Sequence, residues 1–149
     1  MKIIFFGATK LGYKCLKHIL ENKLSKVVCI FTIPEKFDIS YANMPVTNVL
    51  YANFKSIANE YNIPIVEINK NLINYLDLIN NYKPDFMLAI GWYYIIPEKI
   101  RKISPLGCAG IHASMLPKYR GGAPLVWAII NGEKKTGVSF FYFDNGVVT

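Results

Sequence analysis

The run Gly110-Ile111-His112-Ala113-Ser114-Met115-Leu116-Pro117-Lys118-Tyr119-Arg120-Gly121-Gly122-Ala123-Pro124 gathers the residue types that do chemistry. Alternation along an extended strand puts Gly110 and His112 on one face. Pro117 and the Gly121-Gly122 pair then take the chain out of the sheet, which leaves the imidazole at a rim that a ligand can reach. An imidazole there can hold or move a proton near neutral pH. Lys118 and Arg120 are possible partners for a phosphate, with an exposed basic turn as the alternative. His18 sits among lysines on a helical stretch and reads as a solvated surface residue.

Other chemistries fit less well. Ser114 follows His112 too closely to be its nucleophilic partner, and no GxSxG sequence occurs. Histidines far apart in sequence, and cysteines without ligand spacing, assemble no metal site. The turn Gly7-Ala8-Thr9-Lys10-Leu11-Gly12 matches neither GxGxxG nor a P-loop. It opens a helix, so its backbone amides would suit an anion; the alternative is that its glycines only permit a tight turn.

These residues need a frame. Short apolar runs alternate with longer amphipathic stretches, as in repeated βα units. Strands are expected at Lys2 to Phe6, Val27 to Ile33, Ile63 to Val66, Asp85 to Ile90, Gly107 to Ser114 and Gly137 to Phe143. Helices are expected from Gly12 to about Asn22, near Asn48 to Tyr61, from about Asn71 to Asn81 and from Pro124 to Asn131. Pro34 to Val46 loses periodicity and reads as a long loop, a frequent place for function. The expected class is α/β: a doubly wound, mostly parallel sheet with helices on both faces, binding ligands beyond the carboxyl ends of its strands.

Composition agrees with one folded domain. The chain has 149 residues, 52% hydrophobic and 18% charged, too apolar for a disordered segment. Seventeen Lys and Arg against ten Asp and Glu give a formal charge of +7, which favours an anionic partner. The bases are scattered rather than striped, so solvated helix faces are the simpler reading. No apolar stretch approaches the roughly 20 residues needed to span a bilayer. An odd cysteine count without a CxxC pair or secretory leader points to reduced thiols and a cytoplasmic location.

Ile111 to Gly121 resembles the His-x-Ser-Leu-Leu-Pro signature of the formyltransferases that use 10-formyltetrahydrofolate, with Met115 replacing one leucine. Met1 to Gly12 and Gly91-Trp92-Tyr93-Tyr94-Ile95-Ile96-Pro97 are similar to that family's first strand and folate loop, so the resemblance covers essentially the whole chain. It implies a Rossmann-like formyltransferase domain at residues 1–149, ending before the family's last elements and any carboxyl-terminal domain. It further implies formyl transfer from the folate N10 to a primary amine, with His112 as the catalytic position that carries over. The folate would be held by Trp92, Ile95, Ile96 and Pro97, in a pocket of backbone groups walled by apolar side chains. Ser114, Lys118 and Arg120 would face the substrate, and no metal is implied.

In that family the histidine works with an asparagine two residues earlier and an aspartate on the next strand. Here those positions hold Gly110 and Val148. Asp144 is the nearest carboxylate and the candidate replacement, although Asp144-Asn145-Gly146 reads equally as a turn former. The leading expectation for the amine is a nucleotide-linked amino sugar. Its basis is that the Pro34 to Val46 loop has Lys36 as its only base, whereas tRNA needs clustered Lys and Arg. Methionyl-tRNA is the alternative substrate, and a noncatalytic or weakly active folate-binding relative is the second alternative. A homodimer is compatible with the sequence.

Overall fold

Lys2–Phe6 (β1) buries every residue after Lys2, as a strand covered on both faces must. This strand is central in the computed structural model, which describes residues 1–38 and 42–144. The chain divides into two units, residues 1–108 and a second beginning at Ala109.

In the first unit, β1 leads to helix α1 (Lys10–Glu21), which starts where the extended Thr9 accepts the Gly12 amide on its hydroxyl. It ends where the Asn22 backbone amide and side chain both donate to the His18 carbonyl. Strand β2 (Lys26–Thr32) follows. The expected loop then contains a hairpin, β3 (Lys36–Phe37) paired antiparallel with β4 (Val46–Thr47) and anchored by buried Phe37. Helix α2 (Phe54–Glu60), strand β5 (Ile65–Glu67), a 3-10 turn (Leu72–Tyr75), helix α3 (Leu76–Tyr82), strand β6 (Phe86–Ala89) and the short helix α4 (Glu98–Arg101) complete it.

Strand β1 pairs in parallel with β2 on one side and β6 on the other, and β2 pairs in parallel with β5. The chain thus winds outward through β2 and β5 and returns across β1 to β6. Crossovers of the usual right hand in those two directions would put α1 and α2 on one face and α3 on the opposite one. The winding reverses between β1 and β6, and in open sheets of this kind ligands usually bind beyond the carboxyl ends at such a reversal.

Two expected helices are corrected. The segment expected to be helical from Asn48 becomes helix only at Phe54. Asn48 is buried, and its carboxamide donates to the Ala8 carbonyl and accepts the Leu50 amide, so residues up to Asn53 follow those contacts instead. Val49 and Leu50 in this stretch are both exposed. The expected helix from Asn71 begins as the 3-10 turn, and Lys83 in the left-handed region (φ 46) stops α3. Helix α4 was not expected at all.

In the second unit, β7 (Cys108–His112), whose last four residues lie there, pairs antiparallel with β8 (Ser139–Tyr142). Between them lies α5 (Pro124–Ile130), entered through Pro124 at its first turn. Strand β7 stops at His112, two residues before the expected end, so Ser114 belongs to the following loop. The α5 helix buries only Ala128.

Candidate functional site

In the first unit, the rim is built by close backbone approach. A Cβ on Gly12 would stand 2.3 Å from the Ile90 carbonyl oxygen. Only glycine lets the start of α1 sit against the end of β6. Gly91 has φ +65, and a Cβ there would overlap the Thr9 hydroxyl at 1.8 Å. These two contacts explain the glycine turn better than anion binding does. The Gly7, Ala8 and Lys10 amides donate to the Phe31, Gly91 and Leu50 carbonyls at 3.0, 3.0 and 2.8 Å, so protein oxygens already occupy the expected anion position.

Beyond Gly91, Trp92 packs edge-on to Phe6 and to Tyr94, against a cluster of Ala8, Ile33 and Phe37. Its indole nitrogen is buried and meets no acceptor among the described residues. Ile95 is 89% exposed, whereas Ile96 is buried at 3%, so any part Ile96 plays in binding falls to its backbone. The Pro97 carbonyl accepts the Ile100 and Arg101 amides at the start of α4. Asn48 is the residue that sequence reasoning missed. It ties Ala8 to Tyr93, whose hydroxyl donates to Asn48 Oδ1 at 2.9 Å, and nothing near it in sequence signals that long-range role.

In the second unit, His112 is half-buried at the end of β7. Its Nε2 lies 2.8 Å from the Tyr119 carbonyl oxygen, and its ring stands edge-on to Phe141. A carbonyl can only accept, so Nε2 carries the hydrogen and Nδ1 is the basic atom of the neutral ring. Tyr119 adopts φ 56, uncommon for a residue with a side chain. Its hydroxyl donates to Glu133 Oε1 at 2.8 Å, and Lys118 Nζ lies 3.4 Å from the same oxygen. The Tyr119 hydrogen bond, aided by the Lys118 charge, holds the Glu133 carboxyl below its usual range.

The remaining expected residues separate. Ser114 is fully buried, and its hydroxyl donates to the Lys118 carbonyl at 2.6 Å, closing the loop rather than facing a ligand. The Leu116–Pro117 peptide in that loop is cis. Arg120 is exposed. Asp144 lies past the end of β8, beyond Tyr142, which pairs with Ala109, whereas Ser139 is the residue opposite His112. The ladder therefore leads Asp144 away from the imidazole. Gly110 is buried opposite Phe141 and offers no side chain. Val148 lies outside the described residues. Among the described residues, no group of three His, Cys, Asp or Glu could hold a metal, and no helix is long and apolar enough to cross a membrane.

A family model described as formyl transferase matches residues 1–149. The chain belongs to the formyl transferase family. It is 35% identical to the methionyl-tRNA formyltransferase of Clostridioides difficile over all of this chain and 47% of the relative. It is 36% identical to that of Alkaliphilus oremlandii, over 99% of this chain and 46% of the relative. The chain thus spans about half the length of the curated relatives it matches.

Solved structures of two other enzymes share the fold. Glycinamide ribonucleotide transformylase 1 from Geobacillus kaustophilus superposes with a TM-score of 0.75 at 16% identity, over 99% of this chain and 77% of that one. A formyltetrahydrofolate deformylase from Pseudomonas syringae gives 0.75 at 15% identity, over 97% and 46%. The α/β class with a mostly parallel sheet, expected from the sequence, is the fold of this family.

Proposed function

We propose that residues 1–149 form the catalytic part of a formyl transferase that moves a formyl group from 10-formyltetrahydrofolate to a primary amine, and that the amine is the methionyl group of a charged tRNA. The observation that carries the reading is the imidazole of His112, held at the end of β7 by the Tyr119 carbonyl inside the family's motif. The names of the similar curated proteins supply the tRNA substrate. The expectation of a nucleotide-linked amino sugar gives way to its alternative on those names. A net charge of +7 also suits a polyanion, even though the Pro34 to Val46 segment is poor in bases.

The residues present fit a folate. The unpartnered Trp92 indole N–H is a donor for a flat, amide-edged ring. Exposed Ile95 offers apolar surface beside the backbone of Ile96 and Pro97. The folate supplies a formyl group on nitrogen. As the amine nitrogen bonds to the formyl carbon and the bond from that carbon to the folate N10 breaks, His112, with its Nε2 hydrogen committed to Tyr119, would use Nδ1 to take the proton that the amine loses and return it to the departing N10. Arg120 is the exposed base for a substrate phosphate, whereas Lys118 shares its charge with Glu133. Ser114 keeps the loop closed behind them.

A second reading, folate binding with little or no turnover, is favoured by Gly110 at the family asparagine and by Asp144 lying off the end of β8. Absence of one oxyanion donor costs about a hundredfold or more in rate. The deciding experiment mixes the protein with 10-formyltetrahydrofolate and methionyl-tRNA and follows tetrahydrofolate and formylated tRNA. Product that disappears in His112→Ala supports transfer. A bound, non-transferable folate analogue without product supports the second reading, and neither binding nor product overturns both.

A further inference from the structure

The carbonyl that holds His112 belongs to a residue whose backbone is itself under constraint. Tyr119 sits in the left-handed region at φ 56, which costs energy for any residue with a Cβ. Something must hold it there, and three contacts do. The Lys118 carbonyl before it accepts the Ser114 hydroxyl at 2.6 Å, the Lys118 amide donates to the Met115 carbonyl at 3.1 Å, and the Tyr119 hydroxyl donates to Glu133 at 2.8 Å. The first two close the loop ahead of Tyr119. The third fixes Tyr119 by its own side chain, with the Asn131 side chain beside the same hydroxyl.

Glu133 is well placed for this. It follows Gly132 (φ +68) immediately after α5, and its amide donates to the Ala128 carbonyl at 2.9 Å, so the end of the helix aims its carboxylate. We infer that Glu133 and Tyr119 are positioning residues for His112: the carboxylate anchors the tyrosine hydroxyl, which keeps the Tyr119 carbonyl on His112 Nε2 and leaves Nδ1 as the basic atom. The geometry of this relay belongs to the second unit alone, while its catalytic meaning rests on the proposed formyl transfer.

The test reads the imidazole without substrate. In protein labelled with nitrogen-15, the His112 Nε2 proton exchanges slowly with water because the Tyr119 carbonyl holds it. Tyr119→Phe and Glu133→Ala each remove the same hydrogen bond and are expected to speed that exchange by roughly fivefold, the worth of one modest hydrogen bond. The double variant is expected to add nothing further. Lys118→Met, which removes the ion pair and leaves the hydroxyl bond, is expected to leave that exchange rate within twofold of the parent. His18, whose Nδ1 meets Asn22, is the internal control. Single variants within twofold of the parent, or effects that simply add, overturn the relay. An active parent should also lose kcat by the same factor with KM unchanged. A relay that responds in a parent without turnover counts against the proposed function and not against the relay.

Discussion

Ser139 stands directly opposite His112 across the β7–β8 ladder. Its hydroxyl donates to the Ser114 carbonyl at 2.8 Å and accepts the Leu116 amide at 3.1 Å. One β8 side chain thus pins the loop that leaves the imidazole, from the strand facing it. Ser139→Ala is expected to cost about 1–3 kcal/mol, because it removes partners from part-buried backbone groups. Urea unfolding measures the loss, and faster exchange at the Leu116 amide locates it.

The first-unit rim makes a sharper demand. Gly12→Ala would place a methyl against the Ile90 carbonyl, and backbone cannot move aside as a side chain can. Overpacking of this kind costs roughly 1–3 kcal/mol or more. A lowered unfolding midpoint with an unchanged slope is the expected result; an unchanged midpoint would show that α1 and β6 approach less closely than described.

Asn48→Asp keeps the shape of a buried side chain while deleting its donor to the Ala8 carbonyl. The acceptor contacts to Leu50 and Tyr93 survive, but a carboxylate oxygen now faces a carbonyl. The expected destabilisation is about 2 kcal/mol or more, since an unsatisfied buried group carries its full desolvation cost. Asn48→Ala, compared in the same unfolding experiment, should be less damaging if repulsion dominates.

Burial pushes the Cys108 thiol up to about 12 and the Cys29 thiol up to about 11, from an ordinary value of 9.0. The raised values mean that the folded protein keeps protons which the unfolded chain releases. Their contribution to stability is fully present below pH 9 and is lost as pH climbs through 9 toward 11 and 12. Each thiol adds a slope of about 1.4 kcal/mol per pH unit within that window. Urea unfolding between pH 8 and 11 checks this, and Cys108→Ala should flatten the decline.

Placing at positions 110 and 148 the side chains that the resemblance leads one to expect separates the two functional readings. Gly110→Asn with Val148→Asp is expected to raise formyl transfer by about a hundredfold or more, the worth of a lost oxyanion donor. The measurement is product formation at saturating folate. A folded double variant that binds a folate analogue with no gain in product would place the limitation elsewhere.

Much of the first unit was legible because its strands are runs of apolar residues, such as Ile3 to Phe6, whose burial follows from composition alone. The place of His112 at a strand end was legible because strand alternation and a proline-glycine exit follow it in the sequence. The expected 48–61 helix starts only at Phe54 because the deciding contact, Asn48 to Ala8, spans 40 residues and leaves no local mark. Ser114 and Asp144 were misplaced for a related reason. Side-chain chemistry marks a residue as able to react, but loop closure and strand direction decide what it meets. The Tyr119 to Glu133 contact has no local signature, since it depends on where α5 ends.

Helix α5 carries Trp127 at 53% exposure among Leu125, Val126, Ile129 and Ile130, all largely open to water. Trp92, the other indole, is already packed on Phe6. Any polypeptide or surface that closes over α5 therefore moves the emission of Trp127 to the blue and leaves that of Trp92 where it was, an optical gauge of association that requires no dye.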